Sequence, residues 1–150
     1  MIKESILQVI MAGVGTLGFS IYFRVREKNV AASTAAGIIG WAIYLLIFHF
    51  TEQLFLSNFV AAFLVYLYAE IMARILKAPS NIFLIPGIIP LLPGGTLYYA
   101  MQAIVEGDRD TAVLQGTQTA IITVGIAAGI VVGTVLFYYI VRRSTEKKSK

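Results

Sequence analysis

The sequence predicts an all-α integral membrane protein with five transmembrane helices, the fourth broken at mid-membrane by proline and glycine. Three observations carry that expectation. Hydrophobic residues make up 58% of the 150 residues and charged ones only 13%, about half the charged share of a soluble domain, so much of the apolar surface must face lipid. The mean hydropathy is +0.80, and the charges gather between long apolar runs. One of those runs, 81–102 (NIFLIPGIIPLLPGGTLYYAMQ), holds Pro86, Pro90 and Pro93 together with Gly87, Gly94 and Gly95. A proline inside a helix removes a donor, clashes with the carbonyl four residues back and costs about 3 kcal/mol.

The expected spans are 5–23, 30–50, 54–75, 82–105 and 111–141, forming one transmembrane domain over 1–150 with a basic tail at 142–150. The first runs on from MIKES without a small-residue cleavage site and reads as a retained span. Its Ala12, Gly13, Gly15, Thr16 and Gly18 form a face for close helix approach. The second carries a similar face (Ser33, Ala36, Gly37, Gly40), then Trp41 and Tyr44, and ends at His49 beside Glu52. His49 reads as an interfacial residue, with a proton relay as the alternative. In the third span, Glu70 and Arg74 are spaced to share one helix face. They are either a pair on a pathway or a pair snorkelling toward Lys77 at the interface.

The fifth span is longer than a bilayer needs, and its early Gln115, Thr117, Gln118 and Thr119 suit a wet or protein-facing start. Gly125, Gly129 and Gly133 then form a doubled GxxxG, a signal for tight contact within the bundle or between copies in a homo-oligomer. With five crossings, one side of the membrane holds Lys3 and Arg109 and the other holds the remaining ten of the twelve Lys and Arg residues. Positive charge stays inside, so the N-terminus is expected outside and the C-terminus in the cytoplasm. The contrast between the basic 74–77 stretch and the acidic EGDRD at 106–110 favours a full crossing by the broken span over a re-entrant loop.

The prolines are spaced four and three apart, so the carbonyls they release, those of Ile82, Pro86 and Ile89, lie on one helix face. Gly94 and Gly95 permit backbone angles that other residues avoid. Thr96 is placed to cap a second half-helix, 97–105, whose first amides at Leu97, Tyr98 and Tyr99 would attract an anion. Tyr98, Tyr99 and Gln102 add hydroxyl and amide partners. A broken backbone in lipid survives where it is buried in protein or lines a wet cavity, and two half-helices meeting there is how transporters present backbone groups to a substrate. The plainer alternative is a kinked helix whose breaks are satisfied by its neighbours.

The string KAPSNIFLIPGIIPLLPGGTLYYAM resembles the signature of the threonine/serine exporter family, in its small single-domain subunit type. By position the motif falls on Pro79, Pro86, Gly87, Pro90, Pro93, Gly94 and Tyr98, and the likeness in span order covers nearly the whole chain. The resemblance implies a subunit of an inner-membrane exporter of small hydrophilic metabolites, driven by the proton gradient. It also implies a larger partner subunit with five further spans, and in some two-subunit members export of a dicarboxylate such as succinate.

The expected substrate-binding residues are therefore Pro86, Gly87, Pro90, Pro93, Gly94, Gly95, Tyr98, Tyr99, Gln102 and Arg74, with Glu70 for proton coupling. A second possibility is an assembly subunit that builds an oligomer while a partner supplies the path. An enzyme has little support: the chain has no cysteine and one peripheral histidine, and no Ser/His pair or carboxylate dyad lies at depth. No cofactor, metal or nucleic acid is expected.

Overall fold

The apolar runs fold as helices whose ends are set by turn chemistry. The computed structural model describes residues 2–148, and side chains from 3 to 140; the side chains of the basic tail lie outside the described residues. The helices are α1 (Ile2–Tyr22), α2 (Glu27–Thr51), α3 (Leu54–Ile75), α4 (Asn81–Ile88), α5 (Gly94–Glu106) and α6 (Arg109–Lys148), with a 3₁₀ turn at Ile89–Leu91 between α4 and α5. Among the described residues, four helices are long and apolar enough to cross a membrane. The α4 arm (Asn81–Leu91) and α5 make a further pair that passes the same test together, bent by 50° at the break, so the count is four or five.

Packing is by small residues, as expected where lipid competes with every apolar contact and backbone proximity decides the fit. A Cβ added at Gly37 of α2 would collide with Thr16 of α1. One added at Gly40 would lie 2.7 Å from Val65 of α3 and 3.5 Å from the Gly87 carbonyl of α4. One at Gly87 would come 2.7 Å from the Ala36 methyl. Four helices thus converge where the first proline and glycine of the broken segment lie, and Phe83 and Pro86 are fully buried there. Elsewhere the surface is strongly apolar, with Ile6, Ile10 and Val14 of α1 and Val131 and Val135 of α6 largely exposed. This is the dress of a multi-pass membrane protein.

The glycine seam of α6 lies against α3 of the same chain. A Cβ at Gly125 would lie 2.9 Å from the Phe55 carbonyl, one at Gly129 would strike the Phe59 carbonyl, and one at Gly133 would meet the Tyr66 ring at 2.8 Å. Of the two readings of Gly125, Gly129 and Gly133, within the bundle or between copies, the structure shows the contact within the bundle. Backbone of α3 already occupies that face, and GxxxG spacing signals closeness without saying whose helix is close.

Candidate functional site

The broken segment accounts for each carbonyl that its prolines release. Pro86 has no N–H to offer the Ile82 carbonyl; the Ser33 hydroxyl on α2 donates to it instead, at 3.0 Å. Ser33 in turn shares a hydrogen bond of 2.9 Å with Ser20 of α1, whose hydroxyl also lies 2.7 Å from the Thr16 carbonyl. Thr16, Ser20 and Ser33 are all 0% exposed, so this polar chain runs through a dry interior. The Pro86 carbonyl accepts from the Ile89 N–H, and the Ile89 carbonyl from the Leu92 N–H at 3.1 Å. These tighter bonds are what shape the 3₁₀ turn. All three carbonyls, expected to be open, are taken.

The second half begins earlier than the sequence suggests. α5 starts at Gly94 with Pro93 as its flanking residue, and the Leu97 N–H donates to the Pro93 carbonyl at 3.0 Å. The first-turn amides without a partner among the described residues are those of Gly95 and Thr96, not Leu97 to Tyr99. Gly94 and Gly95 keep negative φ angles, and Gly107 is the glycine with positive φ among the described residues. Thr96 does not cap amides: its hydroxyl donates to the Pro93 carbonyl at 3.2 Å and accepts from Thr119 of α6 at 2.8 Å. Thr119, read as part of a wet or protein-facing start, faces protein here.

The residues singled out by sequence do not gather at one place. Pro86 and Gly87 lie in the four-helix core. Tyr98, Tyr99 and Gln102 are exposed on α5, the tyrosines at 63% and 56%, while Ala100 and Ala103 pack inward and α5 rests chiefly on α6. Gln102 donates to Glu106 at 2.8 Å. Glu70 accepts a hydrogen bond from Tyr66 at 3.2 Å, and the Arg74 guanidinium lies 4.7 Å from the centre of the Phe137 ring. No ion pair joins Glu70 and Arg74 among the described residues; the shared face is real, but each side chain takes a different neighbour. His49 is exposed at one end of an apolar groove of about 460 Å³ between α1 and α2.

Pro90 is the member of the set that faces a cavity close to the break. It shares a space of about 270 Å³ with Gln8, Met11, Ala12 and Trp41. The Trp41 indole nitrogen is buried and has no hydrogen-bond partner among the described residues. A buried donor left unmade costs free energy that a ligand oxygen would recover. The sequence singles out neither Gln8 nor a role for Trp41. The available signal was an indole N–H inside an apolar span, which normally finds a partner.

A second, polar pocket of about 370 Å³ lies between α5 and α6, lined by Tyr99, Gln102, Glu106, Asp108, Thr111 and Gln115. Hydrogen bonds from the Thr111 hydroxyl and then its backbone N–H hold the Asp108 carboxyl below its usual pKa. The N–H bond, 3.1 Å, caps the start of α6. A depressed carboxyl contributes stability above the unfolded pKa and loses it as pH falls through the folded one. Asp108→Ala is therefore expected to lower the melting temperature at neutral pH, with the gap to the parent closing below pH ~4. A gap that stays constant across acid pH would rule out the cap.

A family model described as "Threonine/Serine exporter, ThrE" matches residues 8–136. The chain belongs to the threonine/serine exporter family. The match runs from α1 into the second half of α6 and so takes in every break, turn and seam described above. No solved structure matches this exporter.

Proposed function

We propose that this exporter is a subunit of a secondary, proton-coupled transporter that moves small polar metabolites out across the inner membrane without altering them. Its cargo is a threonine- or serine-type amino acid or a dicarboxylate such as succinate. The observation that carries the reading is the cavity at the bend of the broken helix, lined by Pro90, Gln8 and Trp41, with the unpartnered Trp41 indole N–H buried in its wall. Those are groups for a carboxylate oxygen, placed where irregular backbone and a change of direction coincide. Glu70, half-buried and held by Tyr66, is the proposed proton carrier. The outer α5 face, with Tyr98 and Tyr99 exposed, is the proposed seam with a larger five-span subunit, so that the path is completed between the two. The proposed orientation places the N-terminus outside and the C-terminus in the cytoplasm, as the charge count requires.

The test is efflux from cells preloaded with threonine or succinate, carrying this subunit alone, with its partner, or neither. Equal efflux in all three for both substrates would overturn the proposal. Trp41→Phe keeps an aromatic ring against Tyr44, whose ring is tilted by 33° with its centre 4.9 Å away, and removes the N–H. It is expected to cut efflux roughly tenfold, the worth of one good hydrogen bond to a charged group, with little change in melting temperature. Full activity in Trp41→Phe would move the site elsewhere.

A further inference from the structure

We propose that Ser33 and Asn29 of α2 form a hydrogen-bond switch at the root of the broken helix. The Ser33 hydroxyl has two acceptors: the Ile82 carbonyl, which it holds in this structure, and the Asn29 side-chain oxygen, which has no donor among the described residues. Passing from the first to the second frees the first turn of α4 to move into the pocket beside it.

That turn is poorly tied to the rest of its helix. Pro86 has no N–H, so the bond that would join Ile82 to the next turn is missing, and Ser33 stands in for it at 3.0 Å. The substitute is contested. Ser20 and Ser33 have one hydroxyl hydrogen each, yet their oxygens make three short contacts: 2.7 Å to the Thr16 carbonyl, 2.9 Å to one another and 3.0 Å to the Ile82 carbonyl. One contact always goes without a hydrogen, and the longest of the three is the one that holds α4.

Asn29 supplies the other acceptor. It lies one turn before Ser33 on the same face of α2 and is 2% exposed, so water does not serve its oxygen. A buried acceptor left unmet costs free energy, and only a donor can relieve it. The Ser33 O–H is the donor that one helical turn places beside it. Room for the motion is present as well. Asn29 and Ile82 both line a space of about 300 Å³ between the α1–α2 and α3–α4 connections, and Lys77 lines it from the connection that leads into α4. A freed Ile82 carbonyl therefore meets water or an ammonium donor there. Each arrangement uses Ser33 to meet one of two oxygens, which is the balance a two-state element needs. Nothing in it depends on what the exporter carries.

Hydrogen exchange of the full-length protein in phosphatidylcholine nanodiscs reads the switch, because the amides of α4 exchange when its first turn opens. Asn29→Leu keeps the volume and removes the acceptor. It is expected to slow exchange across 81–88 about fivefold, the population shift worth one net hydrogen bond, while the melting temperature holds or rises. Ser33→Ala is expected to speed the same exchange. With Ser33 already replaced, Asn29→Leu is expected to change nothing, because no hydroxyl is left to pass. Exchange that is unchanged or faster in Asn29→Leu overturns the switch. Slowing that is equal with and without Ser33 overturns it too, since packing alone would then account for the effect. Should Asn29→Leu not fold, Asn29→Ala is read by the same criteria. No cargo is present in this measurement, so its failure and a failure of the efflux test are told apart.

Discussion

Replacing Gly129 with alanine is expected to cost about 3 kcal/mol, the upper range for overpacking a tight contact. The added methyl would run into the Phe59 carbonyl and lie 3.0 Å from the Phe63 nitrogen and 3.2 Å from the Ala62 methyl. Two of these three neighbours are backbone of α3, which has no rotamer to turn out of the way. Relief requires α3 and α6 to separate, and theirs is the most extensive helix pairing in the molecule. For a chain of this size the drop corresponds to a melting temperature lower by roughly 10 °C, read in detergent by thermal shift. Gly116→Ala in the same helix meets nothing within 4 Å and is expected to be neutral or slightly stabilising. Equal melting of the two variants would mean that the seam is looser than its geometry.

Ser33→Ala is expected to cost about 2 kcal/mol, because it leaves the Ile82 carbonyl buried without a donor. Ser20→Ala should cost less, since Ser33 keeps its bond to Ile82 when Ser20 is gone. The sharper test is a double-mutant cycle with Pro86→Ala. Alanine restores the N–H that proline lacks, and that N–H reclaims the Ile82 carbonyl within α4. On that background Ser33→Ala should fall to well under ~1 kcal/mol. An unchanged cost would show that Ser33 acts through its packing and not through the freed carbonyl.

These residues also show what was legible in the sequence. Proline chemistry is local, so the release of the Ile82 carbonyl followed from Pro86 alone. Which donor answers it depends on the meeting of α1, α2 and α4, and no spacing encodes that. The carbonyls of Pro86 and Ile89 were expected to be open, yet a local 3₁₀ turn closes both, a choice the chain makes with its own next amides. The glycines of α6 announced a close contact because missing side chains are visible in a sequence. The identity of the partner was not, and it proved to be α3. Glu70 and Arg74 were correctly placed on one face, but a face offers several neighbours, and Tyr66 and Phe137 take them. Trp41 and Gln8 were overlooked because a cavity is a property of surroundings.

The clasp between Thr96 and Thr119 has a mechanical consequence. Around Gly94 and Gly95 a methyl would touch nothing within 4 Å, so no neighbouring helix wedges the elbow at its angle. What sets its angle is the grip of α5 on α6, and the side-chain latch in that grip is a single hydroxyl pair, worth about 1 kcal/mol net. Breaking such a latch shifts a population about fivefold and leaves α5 held on α6 by packing such as that of Ala100 and Ala103. A group that competes for either threonine therefore loosens the elbow without first having to undo the packing beneath it.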